Sequence, residues 1–186
     1  AFSDGERCVL GEVVLEIRHT PGHTPESVSI VVFERANDQV PYGVLTGDTM
    51  FIGDVGRPDL LVSVGKTSDE LGRMLFNSLN NKLLTLPDAT RVYPAHGAGS
   101  ACGKNLSTET MSTIGEQRKT NYALQFTDIE KFVDVVTEGQ PPAPGYFIYD
   151  AQRNSQVRDV LDEHAVLKKL TISEVVKHVD AGAVVL

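Results

Sequence analysis

Three short segments constrain most strongly how this chain can fold: residues 19–24, 45–49 and 93–97. Each follows a β-branched or apolar stretch, and each places Gly, Pro or Thr around one side chain that can bind a metal. These side chains are His23, Asp48 and His96. Because Gly, Pro and Thr favour turns, each segment is typical of a loop at the tip of a strand. The pattern predicts strand ends that present candidate metal ligands.

Composition and charge exclude several classes of protein. No apolar run approaches the roughly 18 residues that a transmembrane helix needs. The net charge of −8 comes without a block of Lys or Arg, so neither nucleic acid nor an anionic membrane is expected as a partner. The two cysteines, Cys8 and Cys102, are too few for a disulfide scaffold. A reducing cytoplasm is therefore the predicted location.

Apolar patterning predicts strands in the first half of the chain. Residues 13–18 are β-branched and partly alternating. Residues 28–33 form a near-continuous apolar run, which predicts a strand buried on both faces. Short strands at 44–45 and 91–93 lead into the second and third segments.

Helices are predicted to dominate the second half. Residues 67–70 and 127–130 have the Thr-x-x-Glu spacing of a capping box, in which both side chains cover free N–H groups of the first turn. Residues 171–174 open a short helix with one apolar face, and a polar helix is predicted over 109–124. Residues 183–186 indicate the beginning of a buried strand.

The setting of each candidate ligand favours metal binding. Two prolines stiffen the loop around His23, which reduces the ordering entropy that binding must overcome. Asp48 ends a buried strand, where a divalent cation is one of few partners that offset the burial of a carboxylate. The alternatives are a hydrogen-bonded surface histidine and a turn cap. The occurrence of all three segments in this order favours the metal.

Other polar side chains have structural alternatives. Arg57 either pairs with Asp59 to fix its loop or holds a substrate carboxylate through a bidentate contact. Cys102 is either a thiol activated by Lys104 or a small buried residue in a tight loop, and the second interpretation is favoured. The remaining histidines are expected to pack, hydrogen-bond or lie on the surface: His19, His164 and His178.

Together these segments resemble the metallo-β-lactamase superfamily, and most closely its persulfide dioxygenase branch, which is fused to rhodanese domains. The resemblance lies in HTPGHTPESVSIVV, LTGDTMFIGDVGRPDL, VYPAHGAGSACGKNL and STIGEQRKTNYAL. It implies an α/β (α+β) fold, an αββα sandwich with a metal held by strand-tip loops. Residues 1–138 would be its C-terminal part without the first half, 139–169 a linker region, and 170–186 the beginning of a rhodanese-like domain. Both termini are thus expected to be truncations.

The resemblance also implies a reaction and roles for the candidate residues. His23 and Asp48 would be two of the three protein ligands of a single Fe(II). His96 would hold a second metal or line the pocket, and Arg57 and Asp59 would bind substrate beside it. The reaction would be oxidation of a thiol persulfide, such as glutathione persulfide, by O2 to sulfite. The His-x-His-x-Asp-His motif that supplies the remaining ligand in the family does not occur in this sequence.

Two other functions stay open. One is a Zn(II) thioester hydrolase of the glyoxalase II kind, in which Asp48 bridges two metals and His96 binds the second. The other is a non-catalytic fragment that needs a partner, since two protein ligands should hold a metal weakly and uncovered sheet faces favour aggregation. The fragment alone is expected to be inactive, and a homo-oligomer is compatible with the sequence.

Overall fold

In the computed structural model, six strands form one sheet in which spatial order follows chain order. The structure describes residues 2–60, 65–140, 145–154, 156 and 169–184. The strands are β1 (Arg7–Leu10), β2 (Val13–His19), β3 (Val28–Phe33), β4 (Gly43–Gly47), β5 (Arg91–Pro94) and β6 (Ser112–Thr113). The helices are α1 (Ser68–Ser78), α2 (Ile114–Thr120), α3 (Ile129–Thr137), α4 (Phe147–Asn154) and α5 (Ile172–Asp180). The predicted mixed α/β class is confirmed.

The pairing of the strands brings the candidate ligands to one edge of the sheet. Neighbouring strands are antiparallel except β4 and β5, which are parallel. The end of β2, the start of β3 and the ends of β4 and β5 therefore lie along the same edge. The backbone N–H of Ala95 donates to Gly47 O across this edge at 3.1 Å. This hydrogen bond joins the C-terminal ends of β4 and β5.

One face of the sheet packs against α1 and α3 and forms the core. Val31, Val44 and Val92 alternate with outward-facing residues on neighbouring strands, and all three are fully buried. They meet Leu75 of α1 and Phe132 of α3 in a single cluster. Burial of side chains of this size contributes about 1.5–3 kcal/mol each, so this face holds the two helices in place.

The opposite face is only partly covered by the described residues. Val28 and Leu45 are 42% and 43% exposed, and Ile30 and Val32 are half-buried. The prediction that residues 28–33 are buried on both faces is therefore wrong. The helices that follow β4 and β6 lie against one side of the sheet, so β3 alternates between a buried and a less covered side chain.

Capping decides where the helices begin. The capping box of Thr67 and Glu70 is confirmed at the start of α1. At α3 the cap is Asp128 instead of Thr127, since its carboxylate accepts from the N–H groups of residues 130 and 131. The predicted helix over 109–124 begins only at Ile114, because residues 112 and 113 pair with β5 as a strand.

The chain separates into two units, residues 1–153 and 154–186. In the second, Thr171 and Glu174 form a capping box at α5, while Ile172 on its apolar face is 84% exposed. The strand predicted at 183–186 is wrong for residues 183–184, where Val184 is 82% exposed, and residues 185–186 lie outside the described part. Part of the predicted linker, 141–144, also lies outside it. The proposed domain bounds stay a prediction.

No helix among the described residues is long and apolar enough to cross a membrane.

Candidate metal centre

Three loops at one edge of the sheet carry the candidate ligands. His23 lies in the loop between β2 and β3, Asp48 directly follows β4, and His96 follows β5 by two residues. Nε2 of His23 lies 4.0 Å from Oδ2 of Asp48, and Nε2 of His96 lies 3.1 Å from Oδ1 of Asp48. The structure thus brings together the three side chains that the sequence singles out.

A fourth side chain joins this cluster. His23, Asp48 and Cys102 each offer one ligand atom, and these atoms lie within 4.8 Å of one another. The position of Cys102 at the centre was not predicted from the sequence. The only signal was its occurrence five residues after Gly97 in a Gly-rich turn, too weak to fix its position.

The His23 ring is oriented for binding through Nε2. Its Nδ1–H donates to the backbone oxygen of Arg57 at 2.9 Å, which leaves the lone pair of Nε2 directed at the centre. Burial lowers the pKa of His23 below its ordinary value, although the charge of Asp48 opposes this. His23 is therefore neutral at pH 7, the form that binds a metal.

Asp48 carries an unsatisfied oxygen at the centre. Oδ1 is buried and receives no hydrogen bond from the residues that the structure describes, although Nε2 of His96 lies 3.1 Å away. An unpaired carboxylate oxygen is costly to bury, and buried charges usually pair or bind metals. The donor set of imidazole nitrogen and carboxylate oxygen suits Fe(II) and Zn(II) alike. A divalent metal therefore fits the residues present.

Two glycines allow the site loops to approach closely. A Cβ on Gly56 would lie 1.8 Å from the backbone oxygen of Asp48 and 3.1 Å from Cβ of His23. A Cβ on Gly22 would lie 2.5 Å from Cα of Leu75, and φ at Gly22 is 152°. Only glycine permits these contacts, so both positions determine how the His23 loop sits on the fold.

A buried cluster of hydroxyl groups joins the loops beneath the centre. Oγ1 of Thr20 lies 2.9 Å from both Oγ of Ser29 and Oγ1 of Thr49, and all three residues are fully buried. Thr20 precedes the His23 loop and Thr49 follows Asp48, so the cluster fixes one loop against the other. This cluster was not predicted from the sequence, in which Thr20 lies three residues before His23 and Thr49 directly follows Asp48.

Arg57 is buried beside the centre and contacts Asp59. Its Nε and one terminal nitrogen donate to the two Asp59 carboxylate oxygens at 2.7 and 2.6 Å. The Arg57 side chain is 1% exposed, whereas that of Asp59 is 27% exposed. This bidentate pair fixes the conformation of the loop that orients His23.

The other side chains considered from the sequence form structural hydrogen bonds or lie on the surface, where the structure describes them. His19 donates from Nε2 to the backbone oxygen of Phe2, and His178 is exposed on α5, while His164 lies outside the described residues. Nζ of Lys104 donates to the backbone oxygen of Val135 at 2.6 Å. Burial raises the pKa of Cys102, so the alternative of an activated thiol is not supported.

Comparison with known proteins places this geometry in a known fold. A metallo-β-lactamase structure from Staphylococcus aureus subsp. aureus COL is 35% identical, with a TM-score of 0.77, over 89% of this chain and 47% of that one. The structure of ETHE1 from Myxococcus xanthus is 25% identical, with a TM-score of 0.64, over 82% and 58%. No family model matches the chain. The class that the fold and site define is the metallo-β-lactamase fold.

Sequence comparison adds a narrower relationship. Mouse mitochondrial persulfide dioxygenase ETHE1 is 33% identical over 143 residues, which are 77% of this chain and 48% of that protein. This chain thus has the metallo-β-lactamase fold, with persulfide dioxygenases among its homologues, as its motifs predicted. It spans about half the length of the curated relatives it matches. The fold and the relatives imply a metal cofactor.

Proposed function

We propose that this chain contributes the metal centre of a non-haem Fe(II) enzyme that oxidises a thiol persulfide, such as glutathione persulfide, with O2. One observation carries the proposal. A neutral His23 nitrogen and an unsatisfied Asp48 oxygen converge at a strand edge, in a chain whose homologues include persulfide dioxygenases. The narrower assignments, to iron, to O2 and to this substrate, rest on that homology.

Each of the site residues would have a separate role in this reaction. His23 and Asp48 would hold the metal, which when bound supplies open coordination positions for activating O2 and sulfur. Arg57 would keep the His23 ring in its binding orientation through its backbone oxygen. His96, whose side chain is 43% exposed, would line the pocket on the solvent side. Asp59 would face the entering substrate and Arg57 would fix its position.

The proposed reaction balances in atoms and charge. A thiol persulfide, O2 and water give the thiol, sulfite and two protons, since the terminal sulfur gains three oxygens. This sulfur loses four electrons and O2 accepts them, so no further reductant is required. The S–S bond breaks and the thiol sulfur takes up a proton.

Oxygen uptake tests this proposal directly. The chain, extended to the full length of the relatives it matches, is loaded with Fe(II) under anaerobic conditions and given glutathione persulfide and O2, while sulfite is measured in parallel. We expect uptake matched by sulfite, with a loss of at least about 100-fold in His23→Ala and Asp48→Ala. A folded, iron-loaded protein that consumes no O2 would contradict the proposal.

A second candidate is a Zn(II) thioester hydrolase of the glyoxalase II kind. The observation that favours it is the 3.1 Å separation of His96 Nε2 from Asp48 Oδ1, because a carboxylate so close to two histidines suits a bridge between two metals. It predicts two zinc ions per chain and hydrolysis of a glutathione thioester. The same protein would then consume no O2 with persulfide.

The non-catalytic alternative differs from both in metal content. If the chain needs a partner to complete the ligand set, the purified chain should retain little metal after dialysis, and about one iron per chain would contradict this. Metal analysis therefore precedes either activity assay.

A further inference from the structure

Asp54 is a fully buried carboxylate on the loop that follows β4. Its Oδ1 accepts from the backbone N–H of Val55 at 2.7 Å. Its Oδ2 accepts from the backbone N–H groups of Lys104 and Asn105 at 2.6 and 2.7 Å. Burial, and then the negative charge of this carboxylate, raise the pKa of Tyr122. Asp54 thus joins two loops some 50 residues apart in the sequence.

The segment that Asp54 holds carries Cys102. The backbone N–H of Arg57 donates to Cys102 O at 2.9 Å, so the segment is held on one side by Arg57 and on the other by Asp54. A Cβ on Gly103 would lie 2.8 Å from Oδ2 of Asp54 and 2.4 Å from Leu106. A side chain at position 103 would therefore displace Asp54, Leu106 or the segment itself.

We propose that Asp54 is a positioning residue of the candidate metal centre, whose carboxylate fixes residues 101–105 so that the Cys102 thiol stays beside His23 and Asp48. The inference deepens the proposed function and rests on it for the presence of a metal. In this conformation of the segment, the Cys102 sulfur lies within 4.8 Å of the other two ligand atoms. Asp54 itself contacts neither of those ligands through a described hydrogen bond, so its effect passes through the segment.

A carboxylate is required because all of its partners are donors. An ionised Asp accepts at both oxygens, whereas Asn presents one oxygen and one NH2 group. Asp54→Asn keeps the shape but sets the NH2 against at least one backbone N–H. The resulting unsatisfied donors should loosen the 101–105 segment without removing any apolar contact.

The test measures how fast iodoacetamide alkylates Cys102 in the metal-free protein, by mass spectrometry, with Cys8 as an internal reference on β1. Asp54→Asn is compared with Asp88→Asn, a matched control whose side chain is 71% exposed and pairs with Arg118. We expect Asp54→Asn to speed Cys102 alkylation by about tenfold or more, with Cys8 and the control unchanged. Equal Cys102 rates within about twofold in folded proteins would overturn the proposal.

Adding Zn(II) tests positioning separately from stability. If Asp54 only stabilised the fold, its replacement would not change how strongly Zn(II) protects Cys102 from alkylation. In the wild-type protein Zn(II) should slow Cys102 alkylation by about tenfold, and in Asp54→Asn this protection should fall below about threefold. Equal protection in both would contradict the proposed positioning. If Zn(II) does not bind at all, as equilibrium dialysis would show, the proposed function fails while the metal-free comparison still decides the role of Asp54.

A second variant keeps the test decisive if Asp54→Asn does not fold. Gly103→Ala leaves the carboxylate intact and displaces the segment from the other side, because its Cβ would lie 2.8 Å from Oδ2 of Asp54. Faster Cys102 alkylation in folded Gly103→Ala, with Cys8 unchanged, supports the proposal. An unchanged Cys102 rate contradicts it.

Discussion

The Nδ1 atom of His23 lies 2.9 Å from the backbone oxygen of Arg57, so a loop after β4 orients a side chain from the loop after β2. The interaction selects the tautomer with a free Nε2, 4.0 Å from Oδ2 of Asp48. The Arg57 side chain acts on this interaction only indirectly, because its pair with Asp59 fixes the loop that carries the backbone oxygen. The interaction depends directly on how closely the two loops pack.

Replacement of Asp48 should separate metal binding from folding. In Asp48→Asn the unsatisfied Oδ1 is lost and the amide can donate to His96, so we expect the metal-free protein to be at least as stable as the wild type. Metal affinity should fall by at least about tenfold. Thermal unfolding with and without Zn(II) measures both quantities. An unchanged metal-induced rise in Tm would contradict the role of Asp48, and Asp88→Asn serves as the control.

Gly56→Ala should disrupt the centre through the backbone. The new Cβ would lie 1.8 Å from the Asp48 oxygen, so the loops of His23 and Asp48 must move apart. We expect metal affinity to fall by at least about tenfold and stability by about 1–3 kcal/mol. Equilibrium dialysis and urea unfolding are the measurements. Gly145→Ala is the matched control, because no atom of the described part of the chain lies within 4 Å of its Cβ position.

Thr20→Val tests the buried hydroxyl cluster. The substitution preserves shape but removes the oxygen that lies 2.9 Å from both Ser29 and Thr49. Two buried hydroxyls then lose a partner, and we expect the free energy of unfolding to fall by about 1–3 kcal/mol. The exposed Thr120→Val should change it by less than about 0.5 kcal/mol. Similar urea midpoints for the two variants would show that the cluster contributes no stability.

Glu16 should contribute a pH-dependent term to stability. Burial alone would raise the pKa of Glu16, but hydrogen bonds from Arg7 and Arg18 outweigh it and hold the pKa below its usual value. A carboxyl with a lowered folded pKa stabilises the fold fully above its unfolded pKa, and this stabilisation is lost as pH falls through the folded pKa.

We therefore expect Glu16→Gln to cost about 1 kcal/mol at pH 7, and the difference from wild type to shrink below the ordinary pKa of 4.5. Unfolding free energies measured from pH 7 to pH 3 test this. Glu34→Gln, at an exposed position, is the control. A difference between Glu16→Gln and wild type that does not change with pH would contradict the prediction.

Much of the fold could be predicted from local patterns. The strand at Val28–Phe33 and the capping boxes that begin α1 and α5 depend on residues close together in sequence, so propensity and spacing suffice. The start of α3 was displaced by one residue because Asp128 competes with Thr127 for the same N–H groups. The start of α2 was missed because pairing with β5 converts residues 112–113 to a strand.

The candidate site was only partly accessible from sequence. His23, Asp48 and His96 could be singled out because each lies in its own strand-end segment, and their roles stay predictions. The orientation of His23 by Arg57 and the contact of Asp54 with residues 104 and 105 join positions 34 and 50 or more residues apart. Local sequence patterns cannot predict these contacts, because the order in which the strands pair determines which distant residues meet.

The parallel pairing of β4 and β5 has a kinetic consequence. The hairpins of β1, β2 and β3 can form locally, but β5 must find β4 after the intervening helix, which is the slower kind of event in folding. His96 and Cys102 arrive only with or after that step. Metal capture during refolding would therefore report when β5 pairs with β4, so the rate of metal binding would measure the rate of this parallel crossover.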